Sequence, residues 1–249
     1  MQPRALYDAD AARWQRREPN SLSDFTGRPV VLEMCGNVTG LAVLDVGAGE
    51  GYCAREIKQR GAASVLAIEL SDEMVKLAQA QEGALNQGID YRQGDARDLQ
   101  VQEASFDLAL AVFVFNYLDT EGMRLALQGI YRALRPGGHL VFAIPHPSFP
   151  FIRTTHTAPF YFDFQGRGYF SGKDSLNQGE IHCRDGRALR VQMVHKPLEE
   201  YFATLRSVGF TSMPEVREMR VLPEHLALDP EFFGPLIDIP LHMGFRVRR

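Results

Sequence analysis

The chain is poor in several things at once. It has three cysteines in 249 residues, Cys35, Cys53 and Cys183, far apart and without a C-x-x-C pair. That fits reduced buried thiols better than a disulfide framework or a zinc site. Its seven histidines show no H-E-x-x-H spacing, so no metal is expected. Lys and Arg number 27 against 31 Asp and Glu, a formal net charge of −4, and only the extreme C-terminus is basic. A protein that tracks phosphates needs a cationic surplus, so no nucleic-acid partner is expected. The opening stretch MQPRALYDADAARWQRREPN mixes charges of both signs without an apolar run. It reads as neither a signal peptide nor a transmembrane segment, and cytoplasmic residence without membrane association is the expectation. There is no internal repeat and no low-complexity tract.

What is present is an ordinary globular composition, 45% hydrophobic with 22 Gly and 14 Pro, suited to one domain that carries an insertion. From Leu41 to about Ile144 short apolar runs alternate with longer amphipathic ones. LAVLDV (41–46), SVLAIEL (64–70), IDYRQ (89–93), FDLALAVF (106–113) and HLVFAI (139–144) read as five strands, and most are continuous enough to be covered on both faces. Residues 52–60, 72–86 and 121–134 have helical spacing; Ser71 is placed to cap the second, with Asp72 and Glu73 in its first turn. RPGG (135–138) reads as a sharp stop before the fifth strand. Right-handed crossovers turn this pattern into an open, mostly parallel sheet with helices on both faces. After Pro145 the chain is rich in Phe, Tyr, Gly and Pro and has no period, up to a β-hairpin over 180–194 turned through RDGR. Leu198 to Val208 reads as a helix between Pro197 and Gly209, and FTSMPEVREM and IPLHMGFRVRR read as two further strands.

The most informative segment is LDVGAGEGY (44–52), between a strong strand and a helix. Gly47, Gly49 and Gly51 form G-x-G-x-G, a turn that lets a ligand approach the backbone and the N-terminus of the next helix. The dinucleotide fingerprint G-x-G-x-x-G fails because its sixth position is Tyr52, and no G-x-x-x-x-G-K-[ST] is present. Over residues 40–147 the chain resembles the class I S-adenosylmethionine-dependent methyltransferases. Asp45 to Gly51 is similar to the family's acidic glycine loop around the methionine end of the cofactor. Glu69, closing the second strand, matches its ribose-binding acid. Asp95, followed by Ala96 in QGDARDL, matches the acid that accepts from the adenine amino group, and LRPGGHLVFA matches its turn and fifth strand.

The resemblance implies a seven-stranded sheet of order 3-2-1-4-5-7-6. It divides the chain into N-terminal cover helices (1–40), a cofactor-binding core (41–147), a substrate-covering insertion (148–195) and a C-terminal helix with the last strands (196–249). It implies methyl transfer from S-adenosylmethionine, leaving S-adenosylhomocysteine, to a nitrogen, oxygen or carbon of a small, aromatic or metabolite-like acceptor. Phe113 and Tyr7 join Asp45, Gly47, Gly49, Gly51, Glu69, Asp95 and Ala96 as cofactor contacts, with Tyr7 and Trp14 on the cover.

The segment FNYLD (115–119) lacks the proline pair of the N-P-P-Y amino-group methyltransferases, which points away from base methylation; Asn116 and Tyr117 are acceptor-side candidates by position. His146, directly after the fifth strand, is the first candidate for a general base, and His195, at the end of the hairpin, is the second. The aromatics Phe149, Phe151, Phe160, Tyr161, Phe162, Phe164, Tyr169 and Phe170 suit either a planar acceptor or a homo-oligomer interface. Two other functions remain open: a non-catalytic module that binds the same cofactor, and a nicotinamide oxidoreductase.

Overall fold

Continuous apolar runs become strands and amphipathic runs become helices, because each buries the surface it cannot expose. The computed structural model describes residues 3–14, 18–152 and 156–249. Helices α1 (Pro3–Trp14), α2 (Leu22–Thr26) and α3 (Arg28–Met34) come first. The alternating core follows as β1 (Ala42–Val46), α4 (Tyr52–Gln59), β2 (Ser64–Glu69), α5 (Asp72–Leu85), β3 (Ile89–Gln93), β4 (Phe106–Val112), α6 (Thr120–Ala133) and β5 (Leu134–Pro145). Then come α7 (Phe149–Ile152), β6 (Phe160–Asp163), β7 (Leu176–His182), β8 (Ala188–Val194), α8 (Leu198–Val208), β9 (Glu215–Met219), α9 (Pro223–Leu228), α10 (Pro230–Phe233) and β10 (His242–Arg248).

The main sheet has the order β3-β2-β1-β4-β5-β10-β9, which is the expected 3-2-1-4-5-7-6 topology. The first five strands are parallel, and β10 runs antiparallel to both of its neighbours. Strand pleat sorts the core into two layers. Leu44, Val46, Ala109 and Ala111 face Met123, Leu127 and Ile130 of α6 and Leu205 of α8. Val43, Leu108 and Leu110 face Val31 of α3, Ile57 of α4 and Ala78 of α5. Burying each such Val, Leu or Ile contributes about 1.5–3 kcal/mol, which fixes the strand ends that carry the site. Ser71 caps α5 by accepting from the Met74 N–H at 3.2 Å. Gly209, at φ 115°, ends α8.

Three local features differ from the sequence expectation. RPGG is a bulge inside β5 rather than a stop before it. Leu134 already pairs with Phe106, and the next pair is Leu108 with His139. An ion pair between Arg135 and Asp107 at 2.5 Å sits at that bulge. The aperiodic stretch after Pro145 contributes a third strand, β6, so the hairpin becomes a three-stranded sheet of order β6-β7-β8. Residues 220–241 hold two short helices, α9 and α10, too brief to leave a period. Phe160, Phe162, Val191, Phe233 and Leu241 pack this small sheet onto a third apolar cluster. No helix among the described residues is long and apolar enough to cross a membrane.

Candidate functional site

The carboxyl ends of β1, β2 and β4 open into a cavity of about 930 Å³, at the place where open α/β sheets bind ligands. Its floor is the glycine turn. Gly47 has φ 73° and Gly49 φ 58°, a left-handed backbone that disfavours a side chain. A Cβ on Gly47 would lie 2.4 Å from Cγ2 of Val114, whereas one on Gly49 would meet nothing within 4 Å. The first glycine is therefore required by packing, and the second keeps the cavity floor bare. The Gly47 and Ala48 N–H groups donate to the Ile68 carbonyl at 2.7 and 3.1 Å, folding the turn over the end of β2.

Asp45, at the end of β1, lines the cavity and is buried. Its Oδ2 has no hydrogen-bond partner. Burial, then the charge of Glu69, push its carboxyl up to about 7 against a hydrogen bond donated by the Ala54 backbone. Glu69, at the end of β2, is clamped by the backbone: Oε2 accepts from the Gly49 N–H and Oε1 from the Ser71 N–H, both at 2.9 Å. Burial raises its pKa and those bonds oppose the rise. Each of its oxygens keeps a lone pair. Asp95 and Ala96 follow β3 on the same wall. The Asp95 carboxylate accepts from Arg97, with Nη2 to Oδ2 at 2.6 Å and the backbone N–H to Oδ1 at 2.9 Å. That pairing holds its pKa below the usual carboxylate range.

Across β1 the walls change character. Phe113 and Tyr117 follow β4 and line the cavity, as do Phe160 and Phe162 of the small sheet. The Arg28 guanidinium lies 5.6 Å from the Phe113 ring centre and donates to Asp24 at 2.8 Å. Helix α1 covers the mouth. The hydroxyls of Tyr7 and Tyr117 are hydrogen-bonded, Arg4 pairs with Asp72, and Arg13 donates to the Ala188 carbonyl at 2.9 Å. Burial raises the Tyr117 pKa, and hydrogen bonds from Tyr7 and Asn116 work against it.

Of the residues singled out in the sequence, Tyr7, Asp45, Gly47, Gly49, Glu69, Asp95, Ala96, Phe113 and Tyr117 come together on this cavity; Gly51, His146 and His195 do not line it. Gly51 serves the turn and caps α4 from behind, where a Cβ would lie 2.4 Å from the Tyr91 hydroxyl. His146 sits at the expected strand end, but its Nε2 is paired with Glu218 of β9 at 3.0 Å and its Nδ1 accepts from the Ser148 N–H at 3.2 Å. His195 is fully buried, donates from Nε2 to the Tyr169 carbonyl at 2.8 Å, and is ringed by Phe151, Phe164 and Tyr169. Burial lowers its pKa. The cavity instead presents Arg28, Gln192 and His242, which the sequence did not bring forward. His242 had one usable signal, a lone polar residue opening the apolar strand IPLHMGF. Among the described residues no group of three or more His, Cys, Asp or Glu is placed to hold a metal.

Comparison with known proteins agrees with this fold. Residues 43–138 match the family model described as a methyltransferase domain. The malonyl-[acyl-carrier protein] O-methyltransferase of Enterobacter lignolyticus is 30% identical over 184 residues, covering 72% of this chain and 69% of that one. An O-methyltransferase of Aspergillus sclerotiorum is 37% identical over 106 residues, 42% of this chain and 39% of its own. The chain spans about half the length of several curated relatives that it matches. A crystal structure of an S-adenosylmethionine-dependent methyltransferase from Mesorhizobium loti superposes with TM-score 0.65 at 24% identity, covering 89% of this chain and 96% of that one, a likeness of fold.

Proposed function

The chain belongs to the class I S-adenosylmethionine-dependent methyltransferases, and from that premise we propose that it moves a methyl group from S-adenosylmethionine to a small-molecule acceptor, releasing S-adenosylhomocysteine. The observation that carries this is the clamp on Glu69. The glycine turn and the helix entry at Ser71 each hold one carboxylate oxygen at 2.9 Å, which leaves one lone pair per oxygen for a vicinal diol. The residues fit an adenosyl ligand in other respects too. Asp45 offers an unpartnered buried oxygen to a cationic methionine end, and Gly49 keeps the floor open to backbone contact. Asp95 and Ala96 line the same cavity and would hold an adenine edge, with the Asp95 carboxylate, which already accepts from Arg97, also accepting from the amino group. Phe113, on the cavity wall, would offer an aromatic face to the cation.

The bound cofactor supplies an activated methyl on a sulfonium, open to in-line displacement, so the protein contributes chiefly by positioning. Helix α1, tied by Tyr7 to Tyr117 and by Arg4 to Asp72, keeps water from that methyl. Neither His146 nor His195 lines the cavity, and their Nε2 atoms are engaged by Glu218 and Tyr169. A volume of about 930 Å³ is near the upper end of the roughly 300–1,000 Å³ usual for small-molecule pockets. It accommodates the cofactor and one compact acceptor. Three buried cysteines, none of them in a disulfide, fit a reducing cytoplasm. Glu69→Ala tests the reading. S-adenosylhomocysteine affinity should fall by about 1–3 kcal/mol, the cost of removing one partner from a buried hydrogen bond. Undiminished affinity in a folded variant would refute the assignment.

A further inference from the structure

The acceptor end of the cavity holds three buried polar atoms with no partner in the protein: Asn116 Oδ1, Gln192 Oε1 and His242 Nδ1. All three residues line the cavity and are 2%, 1% and 5% exposed. An unsatisfied buried polar atom costs about 1–3 kcal/mol, so three lining one cavity are costly unless a ligand completes them.

Their place in the fold separates them from the cofactor acids. Glu69 and Asp95 close β2 and follow β3, on one side of β1; Asn116 follows β4 and His242 opens β10, on the other. Gln192 joins them from β8 of the small sheet. Around them the wall is aromatic. The His242 ring is stacked on Phe160 at 5.7 Å and meets Phe113 edge-on at 5.0 Å, and Phe162 lines the same chamber. Burial, with Arg28 and His146 adding to it, pushes the His242 imidazole down to about 3, so the ring is neutral and keeps an acceptor nitrogen.

Charge narrows the ligand further. The lining carries three described cations, Arg4, Arg28 and Arg97. Each already faces a carboxylate, in Asp72, Asp24 and Asp95 respectively. The nearby ammonium of Lys196 is committed to the Leu118 and Val194 carbonyls. A carboxylate or phosphate on the acceptor would enter this chamber without a counter-charge, and that desolvation is costly.

Resting on the methyltransferase reading, we propose that the acceptor is a polyhydroxylated aromatic molecule without a carboxylate or phosphate, held beside Phe113, Phe160 and Phe162 with its hydroxyls hydrogen-bonded to Asn116, Gln192 and His242. A hydroxyl suits all three because it both donates and accepts, whichever way the two amides are turned.

The test titrates protein saturated with S-adenosylhomocysteine with dihydroxynaphthalenes, their dimethyl ethers and naphthoate. The diols are expected to bind about tenfold or more tighter than either comparison set. In Gln192→Leu and His242→Phe that preference should shrink to about threefold or less. S-adenosylhomocysteine affinity and thermal midpoint should hold, because each variant removes an unsatisfied atom and fills its space. A residue with a purely structural role would lower the midpoint instead. Equal or tighter binding of the ethers or of naphthoate, no binding of the diols, or a hydroxyl preference that survives both substitutions would overturn the proposal. The wild-type comparison stands even where a variant does not fold. Failure of wild-type protein to take up S-adenosylhomocysteine at all would instead refute the underlying methyltransferase reading.

Discussion

Replacing Asp45 by asparagine separates the two effects of its carboxylate. Burial and the charge of Glu69 raise its pKa from 3.8 to about 7. Between those values the folded protein keeps a proton that the unfolded chain has released, so this group makes stability fall as pH rises through that interval. A displacement of that size corresponds to a destabilisation of at most about 4 kcal/mol, fully present above pH 7 and absent below pH 4. Asparagine keeps an oxygen for the Ala54 N–H and carries no charge to desolvate. In the unliganded protein, Asp45→Asn should therefore raise the thermal midpoint at pH 8, with the gain vanishing toward pH 4, while S-adenosylmethionine binds more weakly. The cationic cofactor favours ionised Asp45, so wild-type binding at pH 7 should release about half a proton, and the variant should release less. Thermal unfolding across pH, together with calorimetry in buffers of different ionisation enthalpy, reads both effects. Parallel pH profiles for the two proteins, or equal proton release, would refute the reasoning.

Other substitutions probe the rest of the framework. Gly47→Ala forces an alanine to φ 73° and places its Cβ 2.4 Å from Val114; it should cost about 2–4 kcal/mol in denaturant unfolding. Gly49→Ala, which meets no atom within 4 Å, should cost less stability and more S-adenosylhomocysteine affinity, and the reverse ordering would be evidence against the bare floor. Burial lowers the Lys196 pKa from 10.5 to about 7, so its penalty is present below pH 7 and stability should rise between pH 7 and 10; Lys196→Met should abolish that rise in thermal midpoint. Tyr7→Phe removes the hydroxyl that joins α1 to Tyr117. Amide exchange in α1 should quicken and S-adenosylhomocysteine bind about fivefold more weakly; unchanged exchange would refute the cover role.

The parallel core was legible because strands covered on both faces must be continuously apolar, and because the glycine turn and the acids at two strand ends follow directly from where strands stop. The acceptor side was not legible in the same way. His146 and His195 stand at strand ends, but a strand end does not fix which way a ring turns, and Glu218 and Tyr169 hold these two away from the cavity. His242 reaches the cavity only because β10 runs antiparallel, which brings its first residue beside Pro145 at the end of β5. No local pattern in IPLHMGF records that reversal. The aromatic segment was visible as composition, but its division was not: Phe160 and Phe162 line the cavity, while Phe151, Phe164 and Tyr169 enclose His195.

The central claim is that this cavity takes an adenosyl sulfonium cofactor. Calorimetric titration of the purified protein with S-adenosylmethionine, S-adenosylhomocysteine and NADH tests it most directly. Micromolar binding of the two adenosyl compounds, with none of NADH, is the predicted result. Binding of NADH in their place, or no binding of either adenosyl compound by folded protein, would contradict it.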